Sequence, residues 1–338
     1  MKAVVFDRPG DESVLRIGDV APPELRAEDV RIRVAATSVN RADLLQRRGL
    51  YPPPPGASPV LGLECAGEVV GAGAGVTRWR AGARVMALLA GGGYAETVVV
   101  HAGSVLPVPD RLTLVEAAAL PEVFLTAYLG LFELGGLRAG QCGLVHGGSG
   151  GVGTAAIQLI RAAGATAIVT AGSDERCRRC VELGAARAVN YHEGDFVAAT
   201  LEATGGRGAQ VAMDAVGADY LERNLAALDT GGRLVVIGAT SGARADLDLG
   251  LLLKKRLSVI GTTLRARPVE EKAALCDRFW RRFGPAFADG TLRPVIDRVL
   301  PLEQAGEAHR VMRSGEQFGK IVLTLAGTDA SGPVGGRG

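Results

Sequence analysis

The sequence predicts an α/β protein in which a doubly wound, six-stranded parallel sheet follows a β-rich region. Three observations support this prediction. Short β-rich runs separated by Gly and Pro clusters fill residues 1–120, and strands alternate with helical patterns over residues 121–262. A glycine-rich turn follows the first strand of that alternation in the middle of the chain, so a segment of domain size precedes it.

Length and composition limit the class of protein. The chain has 338 residues, which exceeds the size at which one core usually stops growing, so two domains are predicted. The net charge of +2 does not indicate a nucleic acid or an anionic membrane as a partner. No signal-like start and no uncharged run of ~18 residues occurs, so we expect neither secretion nor membrane spanning. The five cysteines, few and odd in number, suit a reducing cytoplasm.

Runs of β-branched and apolar residues give the predicted strands. In the first region these are Lys2–Phe6, Val30–Val34, Glu68–Val70, Arg84–Leu88 and Thr97–Val100. In the alternating region they are Cys142–His146, Ala167–Thr170, Ala188–Asn190, Gln210–Ala215, Arg233–Ile237 and Ser258–Gly261. Six strands with intervening helices match a complete mononucleotide-pair, or Rossmann, sheet.

Residues 263–325 are too few for a third domain, so we expect them to pack back onto the first. The predicted elements there are a long helix, a short strand, a second helix and a last strand: Val269–Ala288, Val295–Val299, Leu302–Met312 and Lys320–Leu325. The tail, residues 326–338, is rich in Gly, Ser and Pro and is predicted to be disordered.

The glycine-rich turn predicts a dinucleotide site. It reads Gly148-x-Gly150-x-x-Gly153 and lies between the strand Cys142–His146 and a helical pattern over Thr154–Ala163. The first glycine would allow the tight turn, the second the approach of the pyrophosphate, and the third the packing of helix on strand. The pyrophosphate would lie at the helix N-terminus. The loop residues predicted to hold the cofactor are Ser149, Gly150, Gly151, Val152 and Gly153.

The end of the second strand bears on the choice between NAD and NADP. NAD-preferring folds place a carboxylate there for the ribose, whereas here Thr170 is followed by Ala171-Gly172-Ser173. Ser173 can donate a hydrogen bond to a 2′-phosphate and Arg176 can pair with it. Asp174 could take the ribose if the strand ended later. Acids in a first helical turn also complement the helix dipole, with Ser173 as N-cap, and this interpretation favours NADPH.

Two other features carry little functional signal. Cys177-x-x-Cys180 could be a redox pair or half of a zinc site, but it lies in an Arg-rich helical stretch without a second cysteine pair, which favours a surface helix. The four histidines show no ligand spacing with any cysteine and are interpreted as surface or hydrogen-bonded residues. They are His101, His146, His192 and His309.

Motifs along almost the whole chain carry a family resemblance. They are Asn40–Asp43, Tyr51–Ser58, Leu61–Glu64, Pro121–Glu122, Leu125–Ala127, Val169–Ser173 and Gly319–Leu323. With the order of parts, they make the chain resemble the zinc-free quinone oxidoreductase branch of the medium-chain dehydrogenase/reductase superfamily, which includes zeta-crystallin. It is most similar to the tumour-suppressor-inducible group. The resemblance implies a GroES-like catalytic domain over 1–120, the dinucleotide-binding domain over 121–262 and a return to the catalytic domain.

The resemblance also predicts that no metal is bound. Catalytic zinc needs three protein ligands. Zinc members of the superfamily carry a Cys at the position resembling Asn40 and a His-Glu pair at the position resembling Leu63-Glu64, and leucine cannot ligate zinc. The closely spaced cysteines of the structural zinc lobe are also absent between Leu89 and Gly103.

The remaining site residues follow from the resemblance. Tyr191 would flank the adenosine end of the cofactor. Tyr51 is our first choice as catalytic donor to an acceptor oxygen, although its ring could equally pack on the prolines that follow. Asn40 is the second choice, with a turn-stabilising amide as the alternative. The positions implied to line the nicotinamide are Asn40, Tyr51, Thr126, Gly238, Ala239, Thr263 and Leu264.

Three further positions leave alternatives. Arg265 and Arg267 could attract an anionic group, but solvated charges are the favoured interpretation. Some members of the most similar group place a serine where Gly150 stands, so a mechanism that needs this hydroxyl does not transfer.

The leading functional hypothesis is an NADPH-dependent quinone oxidoreductase. Without zinc, an acceptor that already takes a hydride at carbon is easiest to reduce, and one donor to the developing oxyanion contributes about 3 kcal/mol. An enoyl reductase for α,β-unsaturated ketones or thioesters is the second hypothesis. A non-catalytic NADPH-binding, RNA-binding or structural protein is the third, disfavoured by an aromatic content of 4%. The resemblance implies a homodimer, for which Ser258–Gly261 could supply the edge.

Overall fold

The computed structural model describes residues 1–325, so the predicted disordered tail lies outside the described residues. The chain forms two compact units. The first consists of Met1–Leu125 and the described residues from Leu264 onward, and the second of Thr126–Thr263. The chain passes from the first unit to the second within one helix, at Leu125, where the sequence placed the boundary at residue 120.

The first unit is built on a seven-stranded sheet and a separate two-stranded one. The strands are β1 (Lys2–Val5), β2 (Arg16–Asp19), β3 (Asp29–Ser38), β4 (Glu64–Ala72), β5 (Arg84–Leu88), β6 (Thr97–His101), β7 (Val105–Pro107), β14 (Ile296–Pro301) and β15 (Lys320–Thr324). The large sheet runs β14-β15-β3-β4-β5-β7, with β6 also paired to β3, while β1 pairs with β2. The return segment therefore joins the first unit through antiparallel pairing of β15 with β3.

Five helices accompany these strands. They are α1 (Arg41–Arg47), α2 (Leu114–Ala117), α3 (Pro121–Tyr128), α9 (Val269–Ala288) and α10 (Ala305–Ser314). Helix α1 starts directly after β3, where the carboxylate of Asp43 accepts a hydrogen bond from the backbone N–H of Asn40 at 2.8 Å. Such a bond satisfies one of the donors that every helix start leaves unpaired. The position of Asn40 is thereby fixed between β3 and α1.

The second unit is the predicted Rossmann sheet. Its six strands are all parallel in the order β10-β9-β8-β11-β12-β13. The strands are β8 (Cys142–Val145), β9 (Thr166–Ala171), β10 (Arg187–Asn190), β11 (Ala209–Asp214), β12 (Leu228–Val236) and β13 (Ser258–Gly261). The helices are α4 (Gly151–Ala162), α5 (Asp174–Leu183), α6 (Phe196–Ala203), α7 (Leu221–Ala227) and α8 (Leu249–Lys255), and a π-helical segment, Leu129–Leu134, extends α3. The order of strands reverses between β8 and β11, which is where such sheets bind ligands.

The glycine loop after β8 departs in one respect from the sequence interpretation. The tight turn, with φ of +75°, is at Gly147 and not at Gly148. Gly148 instead allows close packing, since a Cβ there would lie 2.8 Å from the side chain of Val169 and 3.2 Å from Cys180 Sγ. A Cβ on Gly153 would lie 2.2 Å from the carbonyl oxygen of Gly147. Gly150 has room, because its nearest such neighbour is 3.4 Å away.

Helix α5 lies at the surface, as the sequence favours, with Cys180 as its one buried residue. The side chain of Cys180 is fully buried under the glycine loop, whereas Cys177 is half-buried. The Arg-rich composition of α5 describes its outer face only.

No helix in the described part of the chain is long and apolar enough to cross a membrane.

The contrast between Gly153 and Gly150 gives the first prediction. Replacing Gly153 by Ala should lower the free energy of unfolding by about 1–3 kcal/mol, because the added methyl overpacks against a backbone that cannot yield. Gly150→Ala is the matched control and should unfold close to the wild-type temperature, since its φ of −81° is ordinary and its Cβ has space. Thermal unfolding followed by circular dichroism measures both, and equal losses would contradict this account of the loop.

Candidate active site

The residues predicted to hold the cofactor gather at the carboxyl edge of the Rossmann sheet. Those of the glycine loop follow β8, those of the stretch Gly172–Arg176 follow β9, and Tyr191 follows β10. Gly238 and Ala239 lie after β12, and Thr263 after β13. Thr126 lies in α3 and is half-buried, and Leu264 is a buried residue at which the chain re-enters the first unit.

The geometry of the loop fits a pyrophosphate. Helix α4 has 12 residues, and Gly150 is its N-cap. Because glycine has no side chain, the space above the first turn stays open. The unpaired N–H groups of that turn and the helix dipole favour an anionic group. The backbone of the loop can therefore attract the pyrophosphate without a charged side chain.

The stretch after β9 is arranged as an N-cap. The hydroxyl oxygen of Ser173 accepts a hydrogen bond from the backbone N–H of Arg176 at 3.3 Å, so α5 begins as the sequence indicates. Asp174 accepts a hydrogen bond from the side-chain amide of Asn190 at 3.0 Å. Its carboxylate is therefore directed to Asn190. A Cβ on Gly172 would lie 2.6 Å from the hydroxyl of Tyr191, so this ring covers the stretch.

A neutral histidine lies beneath this edge. His146 is buried, with Nε2 2.6 Å from Asn224 Oδ1 and Nδ1 3.1 Å from Thr170 Oγ1. Burial lowers the pKa of His146 to about 4, so Nε2 carries the proton and donates to the amide oxygen. The residue is hydrogen-bonded on both nitrogens, which is one of the two interpretations that the sequence allowed.

In the first unit, the centre of the polar core is a buried ion pair between Lys320 and Glu64. The two charges are 2.8 Å apart, and both side chains are excluded from solvent. Glu64 Oε1 also accepts hydrogen bonds from Ser38 Oγ and Asn40 Nδ2, and Oε2 accepts one from the backbone N–H of Glu122 at 2.9 Å. Sequence reasoning quoted Glu64, Glu122 and Lys320 only as parts of motifs, because nothing in their spacing shows that they meet.

The amide of Asn40 is fully engaged within this network. Its Oδ1 accepts from Lys320 Nζ at 2.7 Å, and its Nδ2 donates to Glu64 at 2.8 Å and to the carbonyl of Ser38 at 3.4 Å. The third hydrogen of the Lys320 ammonium goes to the carbonyl of Val39. Both amide hydrogens of Asn40 are thus donated inside the protein.

These donors do not fit a catalytic zinc ion. Leu63 is a buried hydrocarbon, and Asn40 Oδ1 faces an ammonium group that would repel a metal cation. Cys65 is fully buried, and burial raises the pKa of its thiol, which disfavours the thiolate that zinc requires. Among residues 1–325, no group of three His, Cys or carboxylate side chains is arranged to hold a metal.

A chain of hydrogen bonds runs from Arg47 to Asp43, the residue that caps α1. Arg47 donates to His309 Nδ1 at 3.2 Å, so Nε2 of this neutral ring donates to the hydroxyl of Tyr94 at 3.2 Å. Tyr94 in turn donates to Asp43 at 3.4 Å, and Asp43 also accepts from the backbone N–H of Gly62 at 2.9 Å. Burial, with Arg47 adding to it, lowers the pKa of His309 to about 3.

Arg265 corrects another interpretation. It is 3% exposed and donates to the carbonyl of Ala90 at 2.8 Å and to Gln46 Oε1 at 2.6 Å, so it is not a solvated charge. Its guanidinium lies 5.4 Å from the ring centre of Tyr51. Arg267, by contrast, pairs with the exposed Glu271 at 2.6 Å.

Tyr51 has a phenol that is available to a ligand. The ring is half-buried beside Arg265, and within residues 1–325 the hydroxyl has no hydrogen-bond partner. Burial raises the pKa of Tyr51, so the hydroxyl keeps its proton and can donate it in a hydrogen bond.

Comparison with protein families places both units. Residues 26–110 match the alcohol dehydrogenase GroES-like domain, and residues 151–279 match the zinc-binding dehydrogenase family. The quinone oxidoreductase of Rattus norvegicus is 31% identical over 96% of this chain and 98% of its own length. A phenolphthiocerol/phthiocerol polyketide synthase polypeptide of Mycobacterium tuberculosis is 33% identical over 95% of this chain, which spans only 14% of that protein.

Solved structures agree with these relatives. An NAD-dependent alcohol dehydrogenase (34% identity) and the Escherichia coli quinone oxidoreductase complexed with NADPH (28%) both have a TM-score of 0.84, over 96% of this chain and 100% of theirs. The CurK enoyl reductase, at 27% identity, has a TM-score of 0.83 over 96% of this chain and 99% of its own. The chain therefore belongs to the medium-chain dehydrogenase/reductase superfamily, in the branch of the quinone oxidoreductases.

Proposed function

We propose that this protein is an NADPH-dependent, zinc-independent reductase of quinones. The observation that carries the proposal is the available phenol of Tyr51 in a unit whose Asn40, Leu63 and Glu64 cannot form a zinc site. The cofactor, when bound, supplies a hydride. The protein must then provide a hydrogen-bond donor for the acceptor oxygen that becomes negatively charged, and one such donor contributes about 3 kcal/mol.

The buried Arg265 positions Tyr51 to donate a hydrogen bond to the acceptor oxygen. Arg265 is fixed by Ala90 and Gln46, and its guanidinium holds the ring in place by a cation–π contact. The positive charge also favours negative charge on a nearby oxygen. In this proposal Asn40 orients Glu64 and Lys320 and does not bond the acceptor.

NADPH is preferred over NADH in this proposal. In this proposal Ser173 and Arg176, at the start of α5, bind the 2′-phosphate, and Asp174 is hydrogen-bonded to Asn190. The E. coli quinone oxidoreductase is described as a complex with NADPH, whereas the alcohol dehydrogenase of similar fold is described as NAD-dependent. The cofactor preference therefore needs a direct test.

An enoyl reductase is the second candidate, because the CurK enoyl reductase has the same fold. Both reactions place negative charge on an acceptor oxygen, so Tyr51 would serve either. Turnover of a small quinone, an α,β-unsaturated ketone and an enoyl thioester under one set of conditions distinguishes them. If none of the three compounds oxidises NADPH in the presence of the protein, both candidate functions are wrong.

We also propose a homodimer formed through β13. This strand is at the edge of its sheet, and Val259 on it is 41% exposed. Leu249 and Leu253 of the neighbouring α8 are exposed as well. Unpaired edges of this kind bind a second strand readily.

The five cysteines are all free thiols, not joined in disulfides, which agrees with a reducing cytoplasm as the proposed compartment.

Removing the phenol tests the role of Tyr51. Tyr51→Phe should lower kcat for quinone reduction roughly 100-fold, since one donor to a developing oxyanion is lost. The Kd for NADPH, measured by fluorescence titration, should change little, because in this proposal the lost hydroxyl bonds the acceptor oxygen and most cofactor contacts lie in the second unit. Full activity of Tyr51→Phe would show that the ring only packs.

Cofactor preference is tested at Arg176. Arg176→Ala should raise the Kd for NADPH by about 10- to 100-fold, as expected for one charge-assisted hydrogen bond, and leave that for NADH unchanged. Arg178→Ala is the matched control from the same helix, since Arg178 is exposed and pairs with Glu175. Equal weakening of both cofactors by Arg176→Ala would contradict a 2′-phosphate contact.

The dimer is tested with two exposed edge valines. Val259→Lys on β13 should shift the protein to monomer in analytical ultracentrifugation, because lysine on an edge strand opposes pairing. Val299→Lys on β14, the edge of the other sheet, should leave the dimer intact. A wild-type monomer, or a dimer in both variants, would overturn the proposed interface.

A further inference from the structure

We propose that Glu122 is the general acid of this enzyme and donates its carboxyl proton to the acceptor oxygen that Tyr51 hydrogen-bonds. The inference rests on the proposed function and adds a residue to it. Reduction of the acceptor needs a proton in addition to the hydride, and the proposal names a protein residue as its source.

Glu122 is held at the start of α3 by the buried ion pair. Its backbone N–H donates to Glu64 Oε2 at 2.9 Å, so this first turn cannot move without breaking a bond to a buried carboxylate. Since Lys320 is bound to Oε1 of the same carboxylate, the position of Glu122 depends on both charges. The backbone is fixed and the side chain extends from it.

One oxygen of the half-buried side chain is enclosed without a partner. Glu122 Oε2 is buried, and among the described residues nothing hydrogen-bonds to it. An ionised carboxylate in that position would lose its hydration without compensation, which is costly, whereas the neutral acid is tolerated. The burial of this oxygen therefore favours a carboxyl group that retains its proton.

The charges that face Glu122 act in both directions. Burial is the largest effect and, with Glu64 and Asp43, raises the pKa of Glu122, while Lys320 and Arg265 lower it. The pKa of Glu122 lies at about 8 as a result. Burial raises the pKa of Tyr51 and lowers that of Lys272, and the charge of Glu122 adds to the first effect and opposes the second. The carboxyl of Glu122 and the phenol of Tyr51 thus lie within electrostatic range of each other.

The two fully buried carboxylates of this region, Glu64 and Asp43, are hydrogen-bonded to other groups. Glu64 accepts four hydrogen bonds and is paired with Lys320. Asp43 accepts from the N–H groups of Asn40 and Gly62 and from Tyr94. Of the three, Glu122 alone has a carboxyl group without a protein hydrogen bond in the described chain, so it can turn toward an acceptor.

The proton balance is simple. The acceptor takes two electrons with the hydride, and its oxygen then forms a bond to the proton of Glu122 as the O–H bond of the carboxyl breaks. The resulting carboxylate lies near Arg265 and Lys272, which offset its charge until solvent returns the proton. No further reductant is required.

The expected pH dependence follows from the protonated form being active. Above about pH 8 the acid loses its proton, so kcat/KM should fall tenfold for each further pH unit, with a plateau below. Glu122→Gln should lower kcat by roughly 10²- to 10⁴-fold and should lose this alkaline limb, because an amide cannot donate the proton. Glu303→Gln, an exposed glutamate, is the matched control and should behave as wild type.

A second measurement does not depend on turnover. Infrared difference spectra of the cofactor-free protein between pH 6 and pH 10 should show the C=O band of a protonated carboxylic acid that disappears with a midpoint near pH 8 and is missing in Glu122→Gln. NADPH affinity and the unfolding temperature show whether that variant is intact.

The outcomes separate the two proposals. Failure of the wild type to reduce any acceptor would overturn the quinone or enoyl assignment and the acid role with it. Turnover by the wild type, combined with an alkaline limb that persists in Glu122→Gln or with no titrating band, would overturn only the role of Glu122. Loss of both features in that variant, with binding retained, supports it.

Discussion

The buried pair of Lys320 and Glu64 is the interaction on which the first unit depends. Each of the three ammonium hydrogens has an acceptor, in Glu64, Asn40 and the carbonyl of Val39. The carboxylate is satisfied on both oxygens. A buried charge is tolerated only when it is paired and hydrogen-bonded in this way, and removal of one partner from such a pair costs about 3–5 kcal/mol.

The pair also joins four parts of the fold at one point. Ser38 ends β3, Glu64 begins β4, Lys320 begins β15 and Glu122 lies in the first turn of α3. The chain uses a lysine and a carboxylate at the place where zinc members of its superfamily are expected to bind a metal. The cation that organises this region is thus part of the polypeptide, and the proposed polar chemistry is assigned to Tyr51 and Glu122.

Local patterns sufficed to predict the elements that carry a strong periodic or glycine signal. The bounds of β5, β13 and α9 agree with the prediction, and the six-stranded sheet is confirmed. Strand β2 was missed because Arg16–Asp19 has no apolar alternation. Helix α4 begins earlier than predicted, at Gly151, because glycines conceal its first turn.

The site was predictable only in part, for a physical reason. Most of the residues predicted to bind the cofactor follow strand ends, so local sequence patterns were enough to propose them. Arg265 was misread because its acceptors, Ala90 and Gln46, are 175 and 219 residues away, and an arginine without visible partners resembles a solvated one. The pairing of Glu64 with Lys320 was invisible for the same reason.

The distance along the chain between Glu64 and Lys320 has a consequence for biosynthesis. The two residues are 256 positions apart, and the whole second unit is synthesised between them. At ribosomal rates of about 5–20 residues per second, Glu64 waits on the order of 10–50 s for its counter-ion. The second unit, which ends at Thr263, is therefore synthesised before the ion pair of the first unit can form.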